Sequence, residues 1–356
     1  MRQHVKQEGR KMEKKNLDWA NLGFSYIKTD FRYVAEYKNG TWGEGKIITD
    51  DQVHMSEAAN VLQYSQSCFE GMKAYTTPEG KIVTFRPDMN AQRMFDTAKR
   101  LEMPPFPTDR FIEAVDKAVA ANAAWVPPYG TGATLYIRPV MVATTGVIGL
   151  HPAEEYEFRV FVLPVGPYFK DGQKPIAVKV SDFDRAAPNG TGNIKAGLNY
   201  AMSLHPTELA LKEGFTENVY LDSATRTYVE ETGGTNLLFV DKDGTLVVPQ
   251  SFTDSILPSI TRKSIVHVAK EYLKLNVVER PVKMEEVAGF AEMAVCGTAS
   301  VICPVGCVND HGKEIRFPYG MEKPGEITEK LYETLTAIQR GEKEAPAGWV
   351  HEVALG

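Results

Sequence analysis

The chain has 356 residues, 43% hydrophobic and 24% charged, the proportions of a folded globular protein rather than a disordered or fibrous one. That length exceeds what one core usually covers, so two domains of comparable size are expected, with a ligand cleft between them. Forty Lys and Arg against 46 Asp and Glu leave a formal charge of −6, which disfavours non-specific binding to nucleic acid or an anionic membrane and requires any phosphate to be held locally.

The amino-terminal run MRQHVKQEGRKMEKKNLDW is basic and polar, without the apolar core of a secretory signal, so a cytoplasmic location is expected. Residues 1–19 read as a flexible extension, with Met12 as an alternative start. KIVTF (81–85) reads as a strand, and Pro87 to Met103 as a helix with Met94, Ala98 and Leu101 at helical spacing. A second helix is expected from Thr108, as N-cap, to Trp125, with Phe111, Val115 and Val119 on one face. LYIRPVMVAT (135–144) and FRVFVLPV (158–165) are rich in β-branched residues and read as strands. Glycine, proline and charge then dominate, which marks residues 168–175 as a linker between a smaller domain (1–167) and a second one (176–356). The second domain opens on the strand IAVKVS (176–181). Further on, NLLFV (236–240) and TLVVP (245–249) flank an Asp-Gly turn and predict a hairpin. A helix is expected from Ser259 to Leu275. The class is α+β, and the irregular alternation of strands and helices argues against a doubly wound sheet.

Several residues carry possible chemistry. Lys195 lies between the glycine-rich turn NGTGN and an apolar segment. A lysine held against apolar neighbours can lose its proton near neutral pH and form an imine with a carbonyl; the ordinary alternative is a solvated surface lysine. PSITRKS (258–264) opens a helix whose free N–H groups suit an anion, although Ser259 also reads as a simple cap. CGTAS (296–300) is a turn at a strand end, a second candidate anion site. Glu231 is the last charge before the apolar strand 236–240 and, if buried, needs a partner such as a protonated ring nitrogen. Tyr136 and Arg138 share one face of an apolar strand, where they form either a carboxylate clamp or part of an internal salt bridge. No GxxxxGK[ST], GxSxG or HExxH occurs, so phosphate-loop, serine-hydrolase and metal catalysis are unsupported and no metal is expected. Cys68, Cys296, Cys303 and Cys307 form no CxxC pair and read as buried free thiols.

Taken in order, YSQSCFEGMKAY (64–75), FRPDMNAQRM (85–94), LYIRPV, PVGPYF (164–169), NIKAGLNYA (193–201), EETGGTNLLFV (230–240), LPSITR (257–262) and CGTASVICPV (296–305) resemble the class IV, fold-type IV, pyridoxal-phosphate aminotransferases, and within them the branched-chain amino acid aminotransferases. The resemblance covers nearly the whole chain from about residue 20. It implies that Lys195 carries pyridoxal 5′-phosphate on its amine and later shuttles a proton. Glu231 would face the pyridine nitrogen and Tyr200 the phenolic oxygen, while Arg93, Ile260, Thr261 and Thr298 would hold the phosphate. The N–H groups of Thr298 and Ala299 would take the substrate carboxylate, supported by Tyr136 and Arg138. Tyr64, Phe69 and Tyr168 would wall the side-chain pocket, and Ile148 and Leu150 would reach into a neighbouring subunit's site, making a homodimer.

The implied activity is transfer of the α-amino group between L-leucine, L-isoleucine or L-valine and 2-oxoglutarate. A D-amino acid transaminase or aminodeoxychorismate lyase of the same fold type, a non-catalytic cofactor carrier and a phosphate-ligand binding protein are the alternatives. Leu198 and Ser259 stand where the family has glycine, and Ser300 where some members have the first cysteine of a CxxC, so a thiol switch of that kind is not expected.

Overall fold

The computed structural model describes residues 13–167 and 173–355. Most of the expected linker and residues 1–12 of the expected extension lie outside that range. The first half and one strand from the end of the chain build a nine-stranded sheet, antiparallel at every pairing among the described residues. Its spine is the pair Thr134–Ala143 and Tyr156–Val165, in register from Thr134↔Val165 to Ala143↔Tyr156. β-Branched and aromatic residues fill both strands, which suits a pleated surface buried on its faces.

Two helices pack against this sheet. Pro87–Arg100 begins on a proline, whose fixed φ and missing N–H cost nothing at a first turn, and buries Ala91, Met94 and Ala98. It ends short of the expected Met103, because Glu102 takes a positive φ ahead of Pro104 and Pro105. The second helix, Thr108–Ala121, buries Phe111, Ala114, Val115, Ala118 and Val119. Pro107, not Thr108, stands at its N-cap. The expected run to Trp125 breaks at Asn122, whose side-chain amide donates to Ala118 O and Phe31 O and turns the chain into a 3₁₀ segment, Ala123–Trp125.

The second half forms a ten-stranded mixed sheet that closes on itself. The strands Asn236–Val240, Glu292–Gly297, Val301–Asp310, Ile176–Val180, Glu217–Leu221 and Tyr228–Thr232 are hydrogen-bonded in turn, and the Glu231↔Asn236 pairing completes the ring. Val178, Val219, Leu237, Phe239, Val295, Cys303 and Val305 belong to one core cluster. A separate cluster joins Leu238, Val240 and Ala294 to Ile265, Leu331 and Leu335 of the covering helices Ile260–His267 and Glu326–Gln339. The hairpin expected at Asp243-Gly244 is present, with Phe239↔Val247 and Val240↔Leu246. The helix expected to run to Leu275 stays α-helical only to His267 and continues as a π turn over Val268–Tyr272. The chain then returns to its first half, where Val350–Glu352 pairs with Ile82–Phe85.

Phe158 sits at the centre of the first core, fully buried, stacked on Phe106 at 4.0 Å and tilted against Phe111 at 5.9 Å. Phe158→Ala is expected to cost about 3–5 kcal/mol, read as a lowered urea midpoint with an unchanged slope.

Candidate active site

Lys195 belongs by sequence to the second half, yet the first half holds its backbone. Its N–H donates to Thr97 Oγ1 (3.1 Å), and its carbonyl accepts from Phe69 N (3.2 Å). The side chain then has one direction left, into a crevice where Nζ meets Tyr200 Oη at 2.8 Å and lies 4.8 Å from the centre of the Phe69 ring. Tyr200 rides on the short helix Gly197–Ala201, which also carries Leu198. Asn199 ties that helix back to the glycine-rich turn by donating to Thr191 O (2.6 Å) and Ile194 O (2.9 Å). Gly192 is required in that turn, since a Cβ there would stand 2.1 Å from Ser255 O.

Glu231 is buried. Its carboxylate forms an ion pair with Arg185 Nη1 at 2.6 Å and accepts from Asn236 Nδ2 at 3.0 Å and from Leu257 N at 3.1 Å. Burial pushes this carboxyl up to about 7; the Arg185 cation and the Leu257 N–H act in the opposite sense. Arg185 is itself buried, with Nε unpartnered.

Arg93 is held by a second buried carboxylate. Nε and Nη2 each lie 2.7 Å from Glu70, and Nη1 donates to Pro258 O at 3.0 Å, which uses three of the five guanidinium N–H donors. Asn90 braces Glu70 from the other side at 2.7 Å. Ser259, in the place of a family glycine, caps the helix Ile260–His267 by accepting from Arg262 N, so the capping reading of this serine holds.

The turn after Glu292–Gly297 is clamped from the first half: Thr298 Oγ1 donates to Gly71 O at 3.3 Å and Lys73 Nζ to Ala299 O at 2.6 Å. Burial, aided by the nearby Arg340 cation, lowers Lys73 to about 7. Lys73 stands opposite Tyr136 in the sheet, so their side chains share a face, and Arg138 joins them by donating to Tyr136 Oη at 3.1 Å. The Arg138 guanidinium also lies 4.7 Å from the Phe69 ring centre and leaves Nε unpartnered. Gly71 has to be glycine, because a Cβ would come within 2.3 Å of Tyr136 Oη.

Arg93, Lys195, Tyr200, Glu231, Ile260, Thr261 and Thr298 thus line one crevice, with Phe69, Tyr136, Arg138 and Ala299 at its edge. Tyr64, Ile148 and Leu150 are elsewhere. They are 39%, 73% and 85% exposed, and Tyr64 donates to Ile148 O. Tyr168 lies outside the described residues. The cysteines are free and buried, and burial raises Cys303 to about 12. Among the described residues no His, Cys, Asp and Glu cluster could hold a metal ion.

Sequence reasoning missed Glu70, Lys73, Arg185 and Thr97. Glu70 and Lys73 sit inside a recognised motif without an assigned role, and Arg185, in DFDRAAP, reads as a solvated loop charge.

Residues 67–307 match the amino-transferase class IV family. The chain belongs to the class IV aminotransferases. It is 48% identical over 344 residues to the branched-chain-amino-acid aminotransferase of Haemophilus influenzae, covering 95% of this chain and 99% of that one. The crystal structure of the Escherichia coli branched-chain amino acid aminotransferase superposes with a TM-score of 0.77 at 29% identity, over 92% of this chain and 100% of that one. The branched-chain amino acid aminotransferase of Thermobaculum terrenum, in its pyridoxal-phosphate holo-form, shares the fold with a TM-score of 0.75 at 24% identity, over 92% and 99%. The fold is therefore fold type IV, α+β, as the motifs implied.

The Glu231 environment sets a pH dependence. In the unfolded chain a glutamate titrates near 4.3, below its folded value of about 7. Between those values the folded protein holds the extra proton, so this residue's contribution is intact below about pH 4.3 and stability falls as pH rises towards 7. Glu231→Gln is expected to remove that component of the slope in melts of the cofactor-free protein. A slope unchanged by the substitution assigns the titration to another group.

Proposed function

We propose that the protein is a branched-chain-amino-acid transaminase. It moves the α-amino group between L-leucine, L-isoleucine or L-valine and 2-oxoglutarate in two half-reactions at Lys195. The observation that carries this reading is the convergence of Arg93, Lys195, Tyr200, Glu231, Ile260, Thr261 and Thr298 on one crevice, in a chain of this family.

The crevice fits pyridoxal 5′-phosphate on chemical grounds. A buried carboxyl pushed up to about 7 favours a cationic ring N–H brought beside it, and Arg93 keeps two N–H donors for a phosphate. The helix start at Ile260 and Thr261 adds backbone N–H groups and Thr298 a hydroxyl. When bound, the cofactor supplies a carbonyl that condenses with amines and a protonated ring that takes up the electron pair left on the α-carbon.

The chain's own residues do the rest. Lys195 Nζ takes the proton from the substrate α-carbon and returns one in the reverse half-reaction, oriented by Tyr200 Oη at 2.8 Å. Glu231 holds the proton of the ring N–H, and Arg185 and Asn236 hold Glu231. The N–H groups of Thr298 and Ala299 bind the substrate carboxylate, with Tyr136 and Arg138 behind them. Phe69 walls the side-chain pocket beside Lys195 and Tyr200, which favours branched aliphatic side chains.

The exposure of Ile148 and Leu150 supports a homodimer in which these two residues reach into the partner's site. We place the enzyme in the cytoplasm, with residues 1–167 as the smaller domain and 176–356 as the cofactor-binding one, except that the strand Val350–Glu352 joins the smaller domain's sheet.

Lys195→Ala is expected to lower turnover of L-leucine with 2-oxoglutarate by about 10⁴-fold or more. Borohydride reduction followed by peptide mapping is expected to label Lys195, and a label on another lysine overturns the assignment. Parallel assays with D-alanine and aminodeoxychorismate decide against the other reactions of this fold type if both are inactive. Leu150→Asp is expected to shift the protein to a monomer in sedimentation and to raise KM for L-leucine. An intact dimer with unchanged KM removes Leu150 from the interface.

A further inference from the structure

A second cavity, of roughly 270 Å³, lies between the first sheet and the end of the helix Glu326–Gln339, and shares no lining residue with the Lys195 crevice. Tyr75, Thr76, Tyr129, Gly130, Arg340 and Glu342 are among its walls. We propose that this cavity binds a free α-amino acid as a zwitterion, its carboxylate on Arg340 and its ammonium group on Glu342.

The helix stops here because Gly341 takes a left-handed backbone, φ +73°, which sends Arg340 and Glu342 to the same cavity two residues apart. Opposite charges so close in sequence would ordinarily neutralise each other, yet no ion pair joins them among the described residues. Tyr129 Oη instead donates to Glu342 at 3.1 Å and fixes that carboxylate at the rim. The Arg340 side chain has no hydrogen-bond or ion-pair partner among the described residues. Its charge falls on the interior: it lowers Lys73, after burial, and opposes the upward push of burial on the Tyr75 phenol. Tyr75 is 7% exposed, and its hydroxyl is likewise unpartnered among the described residues.

Arg340 is half-buried with no protein acceptor among the described residues, so its parallel N–H groups are open to a ligand carboxylate that accepts both. A plain anion satisfies Arg340 but meets the Glu342 carboxylate across the cavity. An ammonium group on the same ligand converts that repulsion into a second charge-assisted hydrogen bond. The volume, at the small end of ligand sites, suits a molecule of amino-acid size and excludes a nucleotide.

Calorimetric titration with L-proline tests this without transamination, since proline has no primary amine to exchange. Saturable binding is expected to the wild-type protein. Binding is expected at least about tenfold weaker for cyclopentanecarboxylate, which has the same ring size and carboxylate but no ammonium. Arg340→Met is expected to weaken proline binding at least about tenfold. Should that variant misfold, Glu342→Gln, at an exposed position, is expected to bring proline down to the affinity of cyclopentanecarboxylate. Absence of saturable proline binding, equal binding of the two probes, or binding unchanged by either substitution overturns the proposal. Turnover of L-leucine by the wild-type enzyme, measured alongside, reports on the transaminase reading separately.

Discussion

The structure depends on where the backbone of Lys195 is anchored. Its N–H and its carbonyl are both bonded to the first half, at Thr97 and Phe69, so the amine's position is set by elements about 100 residues earlier in the chain. Other polar contacts cross the same seam. Arg93 reaches Pro258 O, Lys73 reaches Ala299 O, Thr298 reaches Gly71 O, and Arg86 Nη1 donates to Ser264 Oγ at 2.9 Å. Most of them end on a turn that carries a crevice residue. The two halves therefore fix the crevice together.

Two buried arginine–glutamate pairs stand in this crevice with their roles reversed. At Glu70 the carboxylate serves the arginine: Asn90 and the bidentate contact hold the fork of Arg93 while leaving donors free. At Glu231 the arginine serves the carboxylate. Arg185 partly offsets the desolvation that raises it, and the strand pairing Glu231↔Asn236 that closes the ring places the supporting amide within 3.0 Å. Breaking either pair leaves a buried charge uncompensated, so each is more sensitive to the loss of one partner than to replacement of both.

Local signals were legible in the sequence wherever a short stretch determines the outcome. The Asp243-Gly244 hairpin, the β-branched strand around Arg138 and the proline-started helix at Pro87 follow from nearest neighbours. The motifs named the crevice residues from Arg93 to Thr298. The supporting charges were not legible, because their meaning comes from distant contacts. Glu70 and Lys73 are three apart in a strand-like segment, and nothing local says that one meets Arg93 and the other Ala299, 226 residues away. Closure of the second sheet and the return of Val350–Glu352 to the first were hidden for the same reason, since register between remote strands is a tertiary property. The helix boundaries at Asn122 and His267 shifted where a side-chain amide or a π turn overrode the apolar period.

The turn at Thr298 and Ala299 is over-determined. Gly71 admits the Tyr136 hydroxyl at a distance no side chain would allow, and Thr298 bonds the same glycine's carbonyl. Val301, just past the turn, holds φ at +62°, a conformation that costs a β-branched residue about 1–3 kcal/mol and persists only under external constraint. Pairing of Gly297 with Val301 and the grip of Lys73 on Ala299 supply that constraint. The turn proposed to hold the substrate carboxylate is thus built from one chain and stiff. Ile148 and Leu150 stand exposed on this chain, and in the proposed dimer they reach another copy's crevice. Every substrate and oxo acid of the reaction shares the carboxylate, while their side chains differ. On the proposed dimer, a rigid end for the common group and an end completed by another copy for the variable one would let a single pocket serve both half-reactions.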